Sequence, residues 1–267
     1  MGAGWGKIIG HHRVVRFLQR SLELGRTAHA YLLVGPPRVG KGTLATAIAQ
    51  AVNCLASDPP CGECTQCLRI QAGMHADVRV IGVSASSENR GSPKEIAIDQ
   101  VRELERSVSL KPFEGKTRVF ILDGAERLSA EAANALLKTL EEPPPQTLII
   151  LLSAEADALL PTIRSRCQNF TLSPVAEAEI KEALVTRFAL PEERASLLAH
   201  LARGRVGWAL EAASQGELLA QHQQTLDELV PVPDENIAQR LAFAQQLVGM
   251  YYRDKLAFKE LLDTWQT

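Results

Sequence analysis

Residues 30–49 constrain this chain more than any other segment. An apolar run, AYLLV, leads directly into Gly35-Pro36-Pro37-Arg38-Val39-Gly40-Lys41-Gly42-Thr43, and the helix-forming residues Leu44 to Ala49 follow. A strand, a G-x4-G-K loop and a helix in that order form a phosphate cradle: backbone N–H groups wrap the anion, the helix N-terminus adds its dipole, and the Lys reaches the outer phosphates. Such a loop needs a buried strand behind it and a helix beside it, so the expected fold is layered α/β. Four more short apolar runs, at 78–83, 118–123, 147–153 and 168–172, read as strands separated by helical patterns. Near-continuous apolar strands alternating with helices imply a parallel sheet covered on both faces.

The run at 118–123 ends in Asp123, whose carboxylate would lie beside the loop at the carboxyl edge of the sheet. Gly35, Gly40, Lys41, Gly42, Thr43 and Asp123 are therefore the expected nucleotide site, in degenerate form. Ser or Thr should follow the Lys to hold Mg²⁺. Gly42 stands there instead, with Thr43 one place later and about 100° further round a helix. A hydrolysing site of this kind usually carries a Glu after the Asp to orient the attacking water, and here that position is Gly124. Glu126 reads as a solvated carboxylate at a helix entry. ATP binding is left open.

Periodicity predicts a helix after Asp99, taken as its N-cap, with Val101, Leu104 and Val108 on one face. A second starts at Ser129, with Leu136, Leu137 and Leu140 opposite Asn134, Lys138 and Glu141, and must stop at Glu142 because three prolines follow. Beyond Pro174 only helical patterns remain, broken near 204–207, at Gly216 and at Pro231 to Pro233. The expected organisation is an α/β domain over 1–173, a helical domain over 174–213 and a further helical region over 214–267.

Four of the five cysteines fall at Cys54, Cys61, Cys64 and Cys67, a C-x6-C-x2-C-x2-C cluster in a Pro-rich loop. The N-terminus has no signal-peptide pattern, so the expected compartment is the cytoplasm, where such a cluster reads as a metal site rather than a disulfide framework. Four thiolates close a tetrahedral shell around zinc with no open position, so the metal would be structural. The plain alternative is a group of free buried thiols. Cys167 is too distant in sequence to count as a ligand. With 29 Lys+Arg against 31 Asp+Glu the net charge is −2, so no overall field attracts a polyanion and any DNA contact must come from a local patch. The longest aliphatic run, Leu148 to Leu152, is far short of the ~20 residues a membrane span needs.

The phosphate loop, the cysteine cluster, Ile98-Asp99-Gln100-Val101-Arg102, Leu136-Leu137-Lys138-Thr139-Leu140-Glu141-Glu142-Pro143-Pro144 and Ser165-Arg166-Cys167 together resemble the bacterial clamp-loader AAA+ family of DNA polymerase III, most of all its delta-prime branch. The matching segments reach to about residue 210. The resemblance implies an AAA+ P-loop domain with an inserted zinc-binding module at 54–67, a helical lid over 174–213 and a collar-like region over 214–267, short enough to be either truncated or compact by nature. It implies partners: ATPase motor subunits, a delta subunit, the sliding clamp and, through the assembled complex, primer-template DNA. It also makes Arg166 an arginine finger that reaches ATP held by a neighbouring subunit, with Arg164 a weaker candidate. A planar, always-charged guanidinium suits the spread charge of a transferring phosphoryl group. For either Arg the ordinary alternative is a surface ion pair.

Motor subunits of that family carry a hydroxyl residue after the loop Lys, a Glu after the strand-end Asp and an Arg in the lid helix. Here those positions read Gly42, Gly124 and Gly207, with Arg205 as a partial substitute if the register is off by two. The expectation is a subunit within the polymerase holoenzyme that is itself non-catalytic. One alternative is an active ATPase motor of the same loader. Another is a nucleoside monophosphate kinase, suggested by the Gly-Thr after the loop Lys and opposed by the compactness of the cysteine cluster.

Overall fold

The computed structural model describes residues 3–83, 95–214, 236–253, 258 and 261–262. Five strands, β1 (Ala30–Val34), β2 (Val78–Ile81), β3 (Arg118–Asp123), β4 (Thr147–Ser153) and β5 (Gln168–Thr171), form one sheet in the order β2-β3-β4-β1-β5. Every pairing is parallel. Successive residues of a strand point to opposite faces, and in the central strands β1, β3 and β4 both faces are buried, whereas the edge strands β2 and β5 are partly exposed. Tyr31, Leu33, Val119 and Ile121 face one core, while Leu32, Phe120, Leu122 and Ile149 face the other. This double burial is why the central strands read as near-continuous apolar runs. Two of them stop slightly before the expected ends, at Ile81 and Thr171.

The first core is closed by α1 (His12–Glu23) and α2 (Lys41–Asn53), which bury Leu18, Leu44 and Ile48. The second is closed by α4 (Ile98–Val108) and α5 (Ala130–Glu141), which bury Val101, Leu104, Leu136 and Leu140. Ser129 is the N-cap of α5, its side chain accepting from the Ala132 N–H, and the helix ends where the prolines require. Asp99 does not cap α4. Ala97 holds that position, and the Gln100 side chain takes its N–H at 3.0 Å, so Asp99 sits inside the first turn and faces Arg102 at 3.7 Å.

A short helix α3 (Thr65–Gln71) carries the cysteine segment. Buried polar groups tie that segment to the sheet domain. Gln50 donates to the Cys67 carbonyl at 2.8 Å, and the Asn53 oxygen accepts from the N–H groups of Lys116 and Thr117. The fully buried Asp77 carboxylate accepts from the N–H groups of Phe113, Glu114 and Gly115, each at 2.8 Å, and pairs with Arg118. Burial alone would raise its pKa, and these donors outweigh that and hold it below the ordinary carboxylate range. A buried Asp can therefore remain charged and pin the 113–115 turn, on which Gln66 of α3 rests.

After α6 (Pro161–Arg164) and β5 come α7 (Glu177–Phe188), α8 (Glu192–Ala202), α9 (Val206–Ser214) and α10 (Ile237–Arg253). The chain divides into two compact units, Met1–Gly207 and Trp208–Thr267. α7 and α8 thus fold with the sheet. Gly204 abuts Pro174 too closely for any side chain, and its carbonyl accepts from the Val175 N–H at 3.0 Å. The expected breaks at Gly216 and at Pro231 to Pro233 lie outside the described residues. Among those described, no helix is long and apolar enough to cross a membrane.

Candidate functional site

The G-x4-G-K loop lies between β1 and α2, and its own chain holds it at several points. A Cβ at Gly35 would fall 2.4 Å from the Leu172 carbonyl, so only Gly fits where the loop leaves the sheet. Gly40, the N-cap of α2, has φ 114°, a conformation that favours glycine. Lys41 Nζ donates to the loop's own carbonyls, Gly35 at 2.6 Å and Pro36 at 2.9 Å. Burial lowers the Lys41 pKa, and the carboxylates of Glu126 and, less strongly, Asp123 oppose that shift. Asp123 stands at the end of β3, level with Leu152 of β4, which is one step short of the Val34–Ser153 pair. The structure thus brings Gly35, Gly40, Lys41 and Asp123 to one edge of the sheet.

Gly42 and Thr43 are both exposed, and a Cβ at Gly42 would meet nothing within 4 Å. A hydroxyl side chain would fit there, so its absence is a matter of sequence and not of crowding. Gly124 is different. Its φ of 78° is left-handed, and a 3-10 turn over Ala125–Arg127 follows at once. That path swings Glu126 back toward the sheet edge, where it is half-buried and accepts from the Ala154 N–H at 3.4 Å. Glu126 is therefore not the solvated residue expected from sequence.

Two contacts at the loop had no signal in the sequence. The Gly207 N–H donates to the Arg38 carbonyl at 2.7 Å, and a Cβ at Gly207 would lie 3.0 Å from that oxygen. The position expected to carry a lid Arg thus offers its backbone to the phosphate loop at close range. A His11 ring nitrogen lies 3.0 Å from the Val39 carbonyl. Arg205 turns its Nε to the Ala202 carbonyl at 3.1 Å.

The four cysteine sulfurs lie within 4.8 Å of one another. Cys54 and Cys61 are 3.6 Å apart, Cys54 and Cys64 4.0 Å, and Cys61 and Cys67 4.0 Å. A tetrahedron with metal–sulfur bonds of ~2.3 Å has sulfur–sulfur edges of about 3.8 Å, so the arrangement fits a four-coordinate metal. Backbone N–H groups point at the sulfurs, Glu63 and Cys64 at Cys61 and Ala56 at Cys54. Such donors stabilise thiolate charge and hold Cys61 below its ordinary pKa. Cys167 is not part of the group, and burial pushes its thiol up to about 12.

Arg166 lies in the turn between α6 and β5. Two residues later Gln168 pairs with Tyr31, near the start of β1, whereas the phosphate loop leaves the other end of β1 after Val34, which pairs with Thr171. Arg166 thus sits toward the amino edge of the parallel sheet and the loop at its carboxyl edge, separated by roughly 10 Å of strand or more. Both candidate arginines make ion pairs, Arg164 with Asp157 at 2.7 Å and Arg166 with Glu141 at 2.7 Å.

A family model described as DNA polymerase III, delta subunit matches residues 10–176. The delta' subunit of DNA polymerase III from Bacillus subtilis is 30% identical over 244 residues, 91% of this chain and 71% of that protein. The tau/gamma subunit from Haemophilus influenzae is 31% identical over 247 residues, covering 89% of this chain. The chain spans only 35% of the length of that relative, and 46% of a gamma subunit from Buchnera aphidicola. In fold the chain is similar to Thermotoga maritima RuvB, with a TM-score of 0.53 at 17% identity over 83% of this chain and 64% of that one.

Proposed function

Since this chain belongs to the clamp-loader AAA+ family of DNA polymerase III, we propose that within such a loader it acts as a delta-prime-like subunit that lends Arg166 to ATP bound by a neighbour and does not itself hydrolyse ATP. The observation that carries this reading is the separation of Arg166 from its own phosphate loop by the length of the sheet. A guanidinium at the amino edge is poorly placed to serve a nucleotide at the carboxyl edge of the same sheet, so any phosphate it serves would be held by another chain. The state of the loop supports the second half of the reading. No hydroxyl residue stands directly after Lys41, and Gly207 meets Arg38 where a lid side chain would need room.

On this reading residues 174–213 are the lid and 214–267 the collar-like region, the cysteine cluster holds a structural zinc, and Asp123 belongs to a vestigial nucleotide site. The partners are the ATPase motor subunits, the delta subunit, the sliding clamp and, through the complex, primed DNA. Zinc would contribute a closed cross-link between α2 and α3 and no chemistry.

A motor reading is favoured by one specific observation, the half-buried Glu126 carboxylate at the sheet edge, where it accepts from the Ala154 N–H. Steady-state ATP hydrolysis by the purified chain separates the two. The expected result is turnover well below the ~1–10³ s⁻¹ typical of enzymes, since the group that usually orients water is replaced by Gly124 and general-base help is worth ~10²–10⁴-fold. Turnover within that range, lost on Glu126→Gln, would make the chain a motor.

A further inference from the structure

Arg166 is not loose on the surface. Its Nη1 donates to the Thr162 carbonyl at 3.0 Å and reaches Ser165 Oγ at 3.4 Å, while Nη2 lies 2.7 Å from Glu141 Oε1. Thr162 and Ser165 belong to the segment that carries Arg166, but Glu141 is the last residue of α5. We propose that Glu141 is a positioning residue for Arg166, holding the guanidinium at the amino edge in the orientation that meets a neighbour's phosphate. This inference rests on the arginine-finger reading above.

Three arguments carry it. Helix C-termini favour cations and disfavour carboxylates, so Glu141 is not placed there to stabilise α5. A guanidinium has five N–H donors, and the three contacts engage at most three of them. Two remain for an incoming phosphate oxygen, which can bind without displacing Glu141. An unheld Arg also gives up substantial rotamer freedom when it engages a ligand, and Glu141 removes that freedom beforehand, as a preorganised site requires. Both side chains remain reachable, with Arg166 34% and Glu141 49% exposed.

The test uses the loader reconstituted with this chain, as wild type, Glu141→Gln, Arg166→Ala and the double variant, with assembly confirmed by size-exclusion chromatography. Gln keeps an acceptor oxygen and removes the charge. Glu141→Gln should cut the Arg166-dependent part of kcat about five- to tenfold, the factor that roughly 1–1.4 kcal/mol represents, with KM for ATP unchanged. In the Arg166→Ala background it should change nothing. If Arg166→Ala lowers kcat while Glu141→Gln matches or exceeds wild type, positioning is wrong and the finger stands. If Arg166→Ala itself has no effect, the finger reading falls and this inference with it. A loss from Glu141→Gln that persists in the Arg166→Ala background would mean that Glu141 acts structurally, which also overturns the proposal.

Discussion

Arg166→Ala is expected to depress ATP hydrolysis and clamp loading by the assembled complex while leaving the fold and metal content of this chain unchanged. The side chain is half-exposed and its ion pair with Glu141 lies at the surface, where such pairs contribute only ~0.2–1 kcal/mol. Stability should therefore barely move. The functional loss should be far larger, because arginine fingers supplied in trans accelerate GTPases by ~10³–10⁵ at the site they serve. In a complex with several nucleotide sites, total turnover falls only by the share of the affected site, so single-turnover hydrolysis is the sharper measurement. Arg166→Lys should rescue little, since an ammonium keeps the charge but lacks the planar fork. Equal clamp-dependent rates for wild type and Arg166→Ala, with assembly confirmed, would reduce Arg166 to the surface ion pair that its neighbourhood equally allows.

The second large effect concerns the cysteine cluster. One equivalent of zinc per chain is expected in protein purified without chelator. A structural site contributes on the order of 10 kcal/mol or more to the unit it closes. Cys64→Ser should abolish metal binding and expose the 54–67 segment to limited proteolysis. The sheet should survive, because Gln50, Asn53 and Asp77 fasten the segment and its neighbours from the core side independently of any sulfur. The Trp5 indole also donates to the Pro59 carbonyl at 3.0 Å, holding the loop from the N-terminal side. Far-UV circular dichroism of the variant should thus stay close to wild type. Less than a tenth of an equivalent of zinc in the wild-type protein would remove the metal site.

What could be read from the sequence and what could not divide along one physical line. The central strands, the stop of α5 at the prolines and the cysteine grouping are local facts, set by burial on both faces, by ring geometry and by spacing. Contacts between distant segments leave no such mark. His11 beside Val39 and Gly207 beside Arg38 are ordinary residues until the fold brings them together. Asp77 looks like any surface carboxylate, although it is fully buried under three N–H donors. Gly124 shows the limit most plainly. Glycine permits a left-handed turn without requiring one, so its sequence position announced a missing side chain while concealing the turn that returns Glu126 to the sheet edge.

The placement of Arg166 and the phosphate loop at opposite edges of one sheet also bears on symmetry. A two-fold dimer formed through the amino edge alone pairs the same patch on both copies, so it would set Arg166 against Arg166 and leave both loops facing away. Contacts that join the amino edge of one subunit to the carboxyl edge of the next, repeated head to tail, are heterologous, and they generate either a closed ring or an open filament. If, as proposed, it lends Arg166 and does not hydrolyse ATP, this chain gives at such a contact without receiving. A subunit of that kind suits one end of a series and interrupts the chain of catalytic contacts wherever it is placed, so its position in the assembly would decide how many sites can fire.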